Sequence, residues 1–217
     1  GSEMCIRDRP RDGVLKGVLA APGLAIGKAV RLASADIVVR EEGQGVVHEE
    51  AALAAAIEIV RQRIERNAAK GDKARKAILG AHLAFLEDPE LAAGARRLIG
   101  EGKSAGFSWR KAVGGYVEAL RGLGDRRLAE RVDDLVDLER QVLRALTGEE
   151  DEGAVLPPGS ILLADELLPS QLMGVDPAAV AGFATARGGP TSHVAILAAA
   201  MGIPALVAIG GALLKVK

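Results

Sequence analysis

The stretch Gly188-Gly189-Pro190-Thr191-Ser192-His193, followed by the uncharged run Val194 to Met201 and the break Gly202-Ile203-Pro204, decides how this chain of 217 residues is read. The two glycines permit close backbone approach and unusual dihedrals, and Pro190 stiffens the turn they make. Thr191 or Ser192 then supplies an N-cap, which predicts His193 in the first turn of a short apolar helix. The amides and positive dipole end of a helix stabilise a phosphate, and an imidazole there is placed to act as the nucleophile that receives one. These residues alone leave two readings side by side: a phosphate-handling histidine, and a histidine that only caps a buried helix.

Working outward, the residues from Val194 to Leu214 carry no charge and are numerous enough to span a bilayer. Gly202 and Pro204 fall where a helix-to-strand turn is wanted, and β-branched residues follow, so the reading is a buried helix, a turn and a buried strand Ala205 to Ile209. The expectation is therefore a protein without a membrane partner. Upstream, a strand Ser160 to Ala164, a helical or irregular Leu167 to Leu172 and a strand Val180 to Thr185 alternate with helix. Such alternation, with a functional loop at a strand's carboxyl end, predicts a three-layer α/β domain.

The other end of the chain repeats this texture. Val14 to Ala20 and Ala25 to Leu32 read as two short strands turned back as a hairpin at Ala21-Pro22-Gly23. Between the two α/β parts the pattern is helical. Leu53, Ile57, Val60 and Ile64 repeat at four-three-four spacing on a helix from about Val47 to Asn67. A second helix covers about Lys73 to Leu86, and Asp88-Pro89 reads as N-cap and first residue of a third, running through Ile99. Trp109, Val113, Tyr116, Val117 and Leu120 mark a fourth; Leu128, Val132, Leu135, Val142 and Leu146 mark a fifth, closed by Gly148. The fold class expected is α/β with an inserted all-α helical bundle. Residues 13–40 and 153–217 form the α/β part, 41–148 the bundle, 149–152 an acidic linker, and 1–12 a tail unrelated in composition.

A net charge of −1 gives no sign of a nucleic-acid partner. The single cysteine, Cys5, excludes a disulfide framework, and together with the lack of an apolar leader in residues 1–10 it predicts a reducing, cytoplasmic setting. His48 has no motif around it.

GGPTSHVAILAAAMGIPALV resembles the active-site signature of the phosphohistidine domain of Enzyme I of the bacterial phosphotransferase system, the phosphoenolpyruvate-protein phosphotransferase family. GVLAAPGLAIGKAVRL resembles its opening and ADELLPSQL a segment near its active histidine. The resemblance implies a swivelling phosphohistidine domain, phosphorylation of His193 on a ring nitrogen, and phosphotransfer from phosphoenolpyruvate to an HPr-like phosphocarrier. Read from the residues themselves, the amides around Gly188, Gly189 and Thr191, with Ser192 at the helix start, are placed to hold the phosphoryl oxygens; Arg187 either adds a cation or is a surface arginine. HLAFLEDPEL, with His82, Phe85, Leu86, Glu87 and Asp88, resembles the docking stretch for HPr; the bland reading is a polar residue on a bundle face and solvated or capping charges.

Two departures matter. Lys73, Arg75 and Lys76 stand where carbohydrate-type members are rich in glutamate, and Pro190 stands where they often have arginine, which leans toward an HPr-like domain such as that of fructose-type multiphosphoryl transfer proteins. Leu168 occupies the place of a threonine that orients the histidine ring in the family, leaving Thr191 and Ser192 as the nearest substitutes in sequence. The resemblance further implies no cofactor or metal in this chain. Magnesium and phosphoenolpyruvate belong to a C-terminal barrel beyond it, so labelling by phosphoenolpyruvate alone is not expected. Rival readings are the phosphohistidine domain of a pyruvate phosphate dikinase or phosphoenolpyruvate synthase, and a non-catalytic interaction module.

Overall fold

Five short strands build one sheet in the computed structural model, which describes residues 13–32, 36–69, 71, 73–123, 126–148 and 156–216, the side chains of 74 and 126–130 excepted. The acidic linker, the N-terminal tail with Cys5 and the Leu128 side chain lie outside the described residues. The strands are β1 (Val18–Ala21), β2 (Lys28–Arg31), β3 (Ser160–Ala164), β4 (Val180–Thr185) and β5 (Ala205–Val207), in the order β1-β5-β4-β3-β2. β2, β3, β4 and β5 run parallel, and β1 is added antiparallel to β5 at one edge.

The expected hairpin between the first two strands does not form. β1 and β2 occupy opposite edges of the sheet, so Pro22 and Gly23 begin a crossing rather than a tight turn. Glycine marks that path. A Cβ on Gly27 would lie 1.9 Å from the Gly159 carbonyl oxygen, and one on Gly182 would lie 2.9 Å from the Ala25 Cβ. The last strand is also shorter than expected, because Ala208 takes a positive φ of 54° that ends the extended run before Ile209.

Five helices lie between β2 and β3: α1 (Val46–Ala69), α2 (Lys73–Leu86), α3 (Pro89–Gly100), α4 (Ala105–Gly122) and α5 (Arg126–Thr147). Leu53, Ala56, Val60 and Ile64 are buried along α1, and Leu91, Ala95 and Ile99 along α3, the spacing of one helical face. Asp88 caps α3 by accepting the Glu90 N–H at 2.9 Å. The bundle core gathers these with Trp109, Val113, Leu135, Leu138, Val142 and Leu143. Glu49 is buried at the start of α1 and accepts the N–H groups of Gln44 and Ala105, at 2.8 and 2.7 Å, fastening the openings of α1 and α4 together.

A second core lies on one face of the sheet, beneath α6 (Pro169–Met173) and α7 (His193–Met201), and contains Leu162, Leu172, Phe183, Val194 and Leu197. Strand alternation sends Leu163 and Ala184 to the other face, where the 3-10 turn Gly211–Lys215 places Leu213 against them. The bundle meets the α/β unit through α2 against α7 and α5 against α6. Ile78 of α2 belongs to the α/β core, so the two units are packed rather than tethered.

Candidate functional site

Ser192 is the N-cap of α7: its backbone is extended (φ −66°, ψ 159°) and its Oγ accepts the Ala195 N–H at 3.3 Å. His193 is thereby the first helical residue. Gly202 closes the helix in the left-handed region (φ 68°), returning its N–H to Ala198 and Ala199. Gly188 adopts φ 97°, which a side chain would resist, and redirects the chain from β4 toward the cap.

The decisive contact comes from outside this stretch. His193 Nδ1 lies 2.8 Å from Oδ1 of Asp134 on α5, and Asp134 is fully buried. The same oxygen lies 3.2 Å from Nε2 of His82 on α2. Burial alone would raise the Asp134 carboxyl, but hydrogen bonds from His193 and His82 outweigh it and hold the group below the usual carboxylate range. An ionised carboxylate only accepts, so both ring nitrogens donate. Asp134 Oδ2 has Arg131 Nη1 at 3.7 Å.

Two further carboxylates of α5 line this seam. Asp137 is buried and receives the Ser170 N–H of α6 at 2.9 Å and the Ser170 hydroxyl; burial pushes its carboxyl up, and the pair forms a second tie between the units. Asp133 is pushed up by burial and by the neighbouring charges of Glu166 and Asp134. A cavity of about 30 Å³ opens beside the ring, lined by Asp133, Glu166, Leu168, Arg187, Gly188, Ser192 and His193 among others. That is room for at least one water molecule. The His193 side chain is 16% exposed.

The predicted site residues separate into those that meet here and those that do not. Gly188, Ser192, Arg187 and His193 share the cavity; Gly189 is half-buried and Thr191 exposed in the turn before the cap. Arg187 donates to Asp165 at 2.6 Å and has Glu166 at 3.7 Å, so its charge is answered by two carboxylates. Beyond Thr191 and Ser192, the nearest candidates in sequence, the ring has Asp134 as a hydrogen-bond partner, while Ser192 Oγ caps the helix. His82 and Leu86 were expected on the docking face and are buried, at 0% and 5% exposure, because they share the inward stripe of α2 with Ile78 and Leu79. Phe85 is half-buried, packed against the bundle core; Asp88 is half-buried at the α3 cap, and Glu87 is exposed. Asp134 was legible only as an oddity: Asp134 and Asp137 are three apart on a helix whose inward positions also include the apolar Val132, Leu135, Leu138 and Val142.

Comparison with known proteins gives the chain its family. Residues 16–131 match the family described as PEP-utilising enzyme, N-terminal, and residues 156–217 match the PEP-utilising enzyme mobile domain. The chain belongs to the PEP-utilising enzymes. Among PEP-utilising relatives it is similar to the multiphosphoryl transfer protein of Rhodobacter capsulatus, with 38% identity over 92% of this chain and 25% of the relative. The phosphoenolpyruvate-protein phosphotransferase of Streptomyces coelicolor is 34% identical over 91% of this chain and 36% of the relative. An NMR solution structure of Enzyme I superposes with a TM-score of 0.72 at 32% identity, covering 94% of this chain and 86% of the other. The chain therefore spans about a quarter to a third of the length of these curated relatives. Among the described residues no helix is long and apolar enough to cross a membrane. Nor do they hold a group of three or more His, Cys, Asp or Glu arranged for a metal ion.

Proposed function

We propose that this chain is the phosphohistidine-bearing part of an Enzyme I-type phosphotransferase of the cytoplasm, in which His193 takes a phosphoryl group derived from phosphoenolpyruvate and passes it to an HPr-like carrier. The observation that carries the reading is the ring itself. It stands at the first position of α7, its Nδ1 hydrogen-bonded to Asp134, so the lone pair of the neutral imidazole lies on Nε2, the nitrogen able to attack phosphorus. In the exchange the Nε2 lone pair forms the new P–N bond while the carrier's P–N bond breaks and returns its electron pair to the carrier's imidazole. Phosphoenolpyruvate and magnesium chemistry belongs, on this reading, to the greater length of the relatives beyond this segment.

The charges beside the ring bear on that exchange. Asp133 and Glu166 bring negative charge to the cavity beside the ring and Arg187 a cation, so an arriving phosphoryl group meets both signs there. The carrier's dock is the outward side of α2, where Lys76, Ala77, Gly80, Ala84 and Glu87 are exposed one helix face away from His82. The basic residues Lys73 and Lys76 and the resemblance to multiphosphoryl transfer proteins favour a fructose-type HPr-like domain as the partner.

Incubation with a ³²P-phosphorylated HPr domain of that type tests the proposal. The full chain is expected to acquire one acid-labile, alkali-stable phosphate, and His193→Ala to acquire none while still binding the carrier. Labelling retained in His193→Ala sinks the reading. Phosphoenolpyruvate with magnesium is expected to leave the chain unlabelled.

A further inference from the structure

We propose that Asp134 is the positioning residue of the phosphotransfer: its carboxylate fixes His193 in the Nδ1–H tautomer and thereby selects Nε2 as the atom phosphorylated, with His82 holding the carboxylate in place. This rests on the relay reading above and deepens it by giving Asp134 and His82 their roles at that site. Three observations carry it. Asp134 and His82 are both fully buried, far inside for a carboxylate and an imidazole that serve no purpose. They meet His193 at one oxygen, with Nδ1 of His193 at 2.8 Å and Nε2 of His82 at 3.2 Å. And the position ahead of Pro169 is Leu168, whose side chain has no polar atom to orient the ring, so the task falls to a residue 59 positions away on another unit.

The chemistry follows from the acceptor. A free imidazole exchanges its proton between two nitrogens; one buried carboxylate oxygen that accepts from Nδ1 ends that ambiguity. His82 Nδ1 is buried with no hydrogen-bond partner, which fits a ring whose proton sits on Nε2 and is donated to the same carboxylate. When Nε2 takes the phosphoryl group the Nδ1 proton stays where it is, and the ring gains positive character opposite a negative group. The carboxylate stabilises that developing charge, as a buried carboxylate does behind a catalytic histidine. His82 lies on the inner face of the helix whose outer face is the proposed dock, so the support of the carboxylate is built into the docking helix.

Tautomer and transfer are measured separately. In ¹⁵N-histidine NMR of the full chain at neutral pH, His193 is expected as the Nδ1–H tautomer, and Asp134→Leu, of similar shape but without an acceptor, as predominantly Nε2–H. Phosphoryl transfer from the ³²P-labelled HPr domain is expected to lose about 10²-fold in kcat in Asp134→Leu, the lower end of what proton-placing groups contribute, with KM within about 2-fold. Asp134→Asn, which keeps an acceptor oxygen and loses the charge, is expected to fall between. An Nε2–H tautomer in the unmodified chain overturns the proposal even if no variant folds. So does an Asp134→Leu protein that folds and transfers at the original rate. Failure of the unmodified chain to accept label removes the relay reading instead, while the NMR result still decides whether Asp134 sets the tautomer.

Discussion

Single buried polar residues carry more of this molecule than its composition suggests. Glu49 is the clearest structural case. Burial alone would raise its carboxyl, but the N–H groups of Ala105 and Gln44 outweigh burial and hold it below the ordinary value of 4.5. A depressed folded value means that its contribution is complete above the unfolded value and is lost as pH falls through the folded one. Glu49→Gln is expected to cost about 1–3 kcal/mol in urea unfolding at neutral pH, since a buried pair of backbone donors loses a charged acceptor. The loss should shrink toward pH 3; an equal loss at both pH values sinks the assignment. Asp134 follows the same sign, so the hold of the bundle on His193 is present at neutral pH and weakens in acid.

At the level of elements, glycine shows how context reverses the effect of one substitution. Gly80 lies on the exposed side of α2 with nothing within 4 Å of an added Cβ. Gly80→Ala is expected to stabilise by about 0.5–1 kcal/mol, because alanine loses less freedom in a helix interior. Gly27→Ala is expected to destabilise by about 1–3 kcal/mol, since its Cβ would sit 1.9 Å from the Gly159 carbonyl where β2 joins β3. Thermal melts of the two variants should move in opposite directions, and a common direction would refute the packing described. Neither change touches the inward stripe of Ile78, Leu79 and His82.

For the whole molecule the question is how far the two units part. The three histidines are natural reporters: His48 has a 63% exposed side chain, His193 16%, and His82 none. Diethyl pyrocarbonate followed by mass spectrometry is expected to modify His48 fastest, His193 more slowly and His82 last. Asp134→Leu should speed modification of His193 toward that of His48, because the tie across α5 and α7 is gone. Equal rates at His48 and His193 in the unaltered chain would show that the closed arrangement is not the populated one.

Much of this was written locally. The Asp88-Pro89 start of α3, the Ser192 cap, His193 at the head of α7 and the stripe of α1 all follow from interactions within a few residues, and those are legible in sequence. What the sequence left open is what distant segments decide between them. β1 and β2 read as a hairpin, yet each gained more by pairing with β5 and β3, formed from the far end of the chain. His82 read as a surface residue because nothing near it in sequence reveals an acidic partner 52 positions on. The family signature and the helix that presents His193 were determined by sequence alone. The carboxylate that meets its ring was decided only by the packing that brings α2, α5 and α7 together, since a hydrogen bond across 59 residues exists only once the chain has closed on itself.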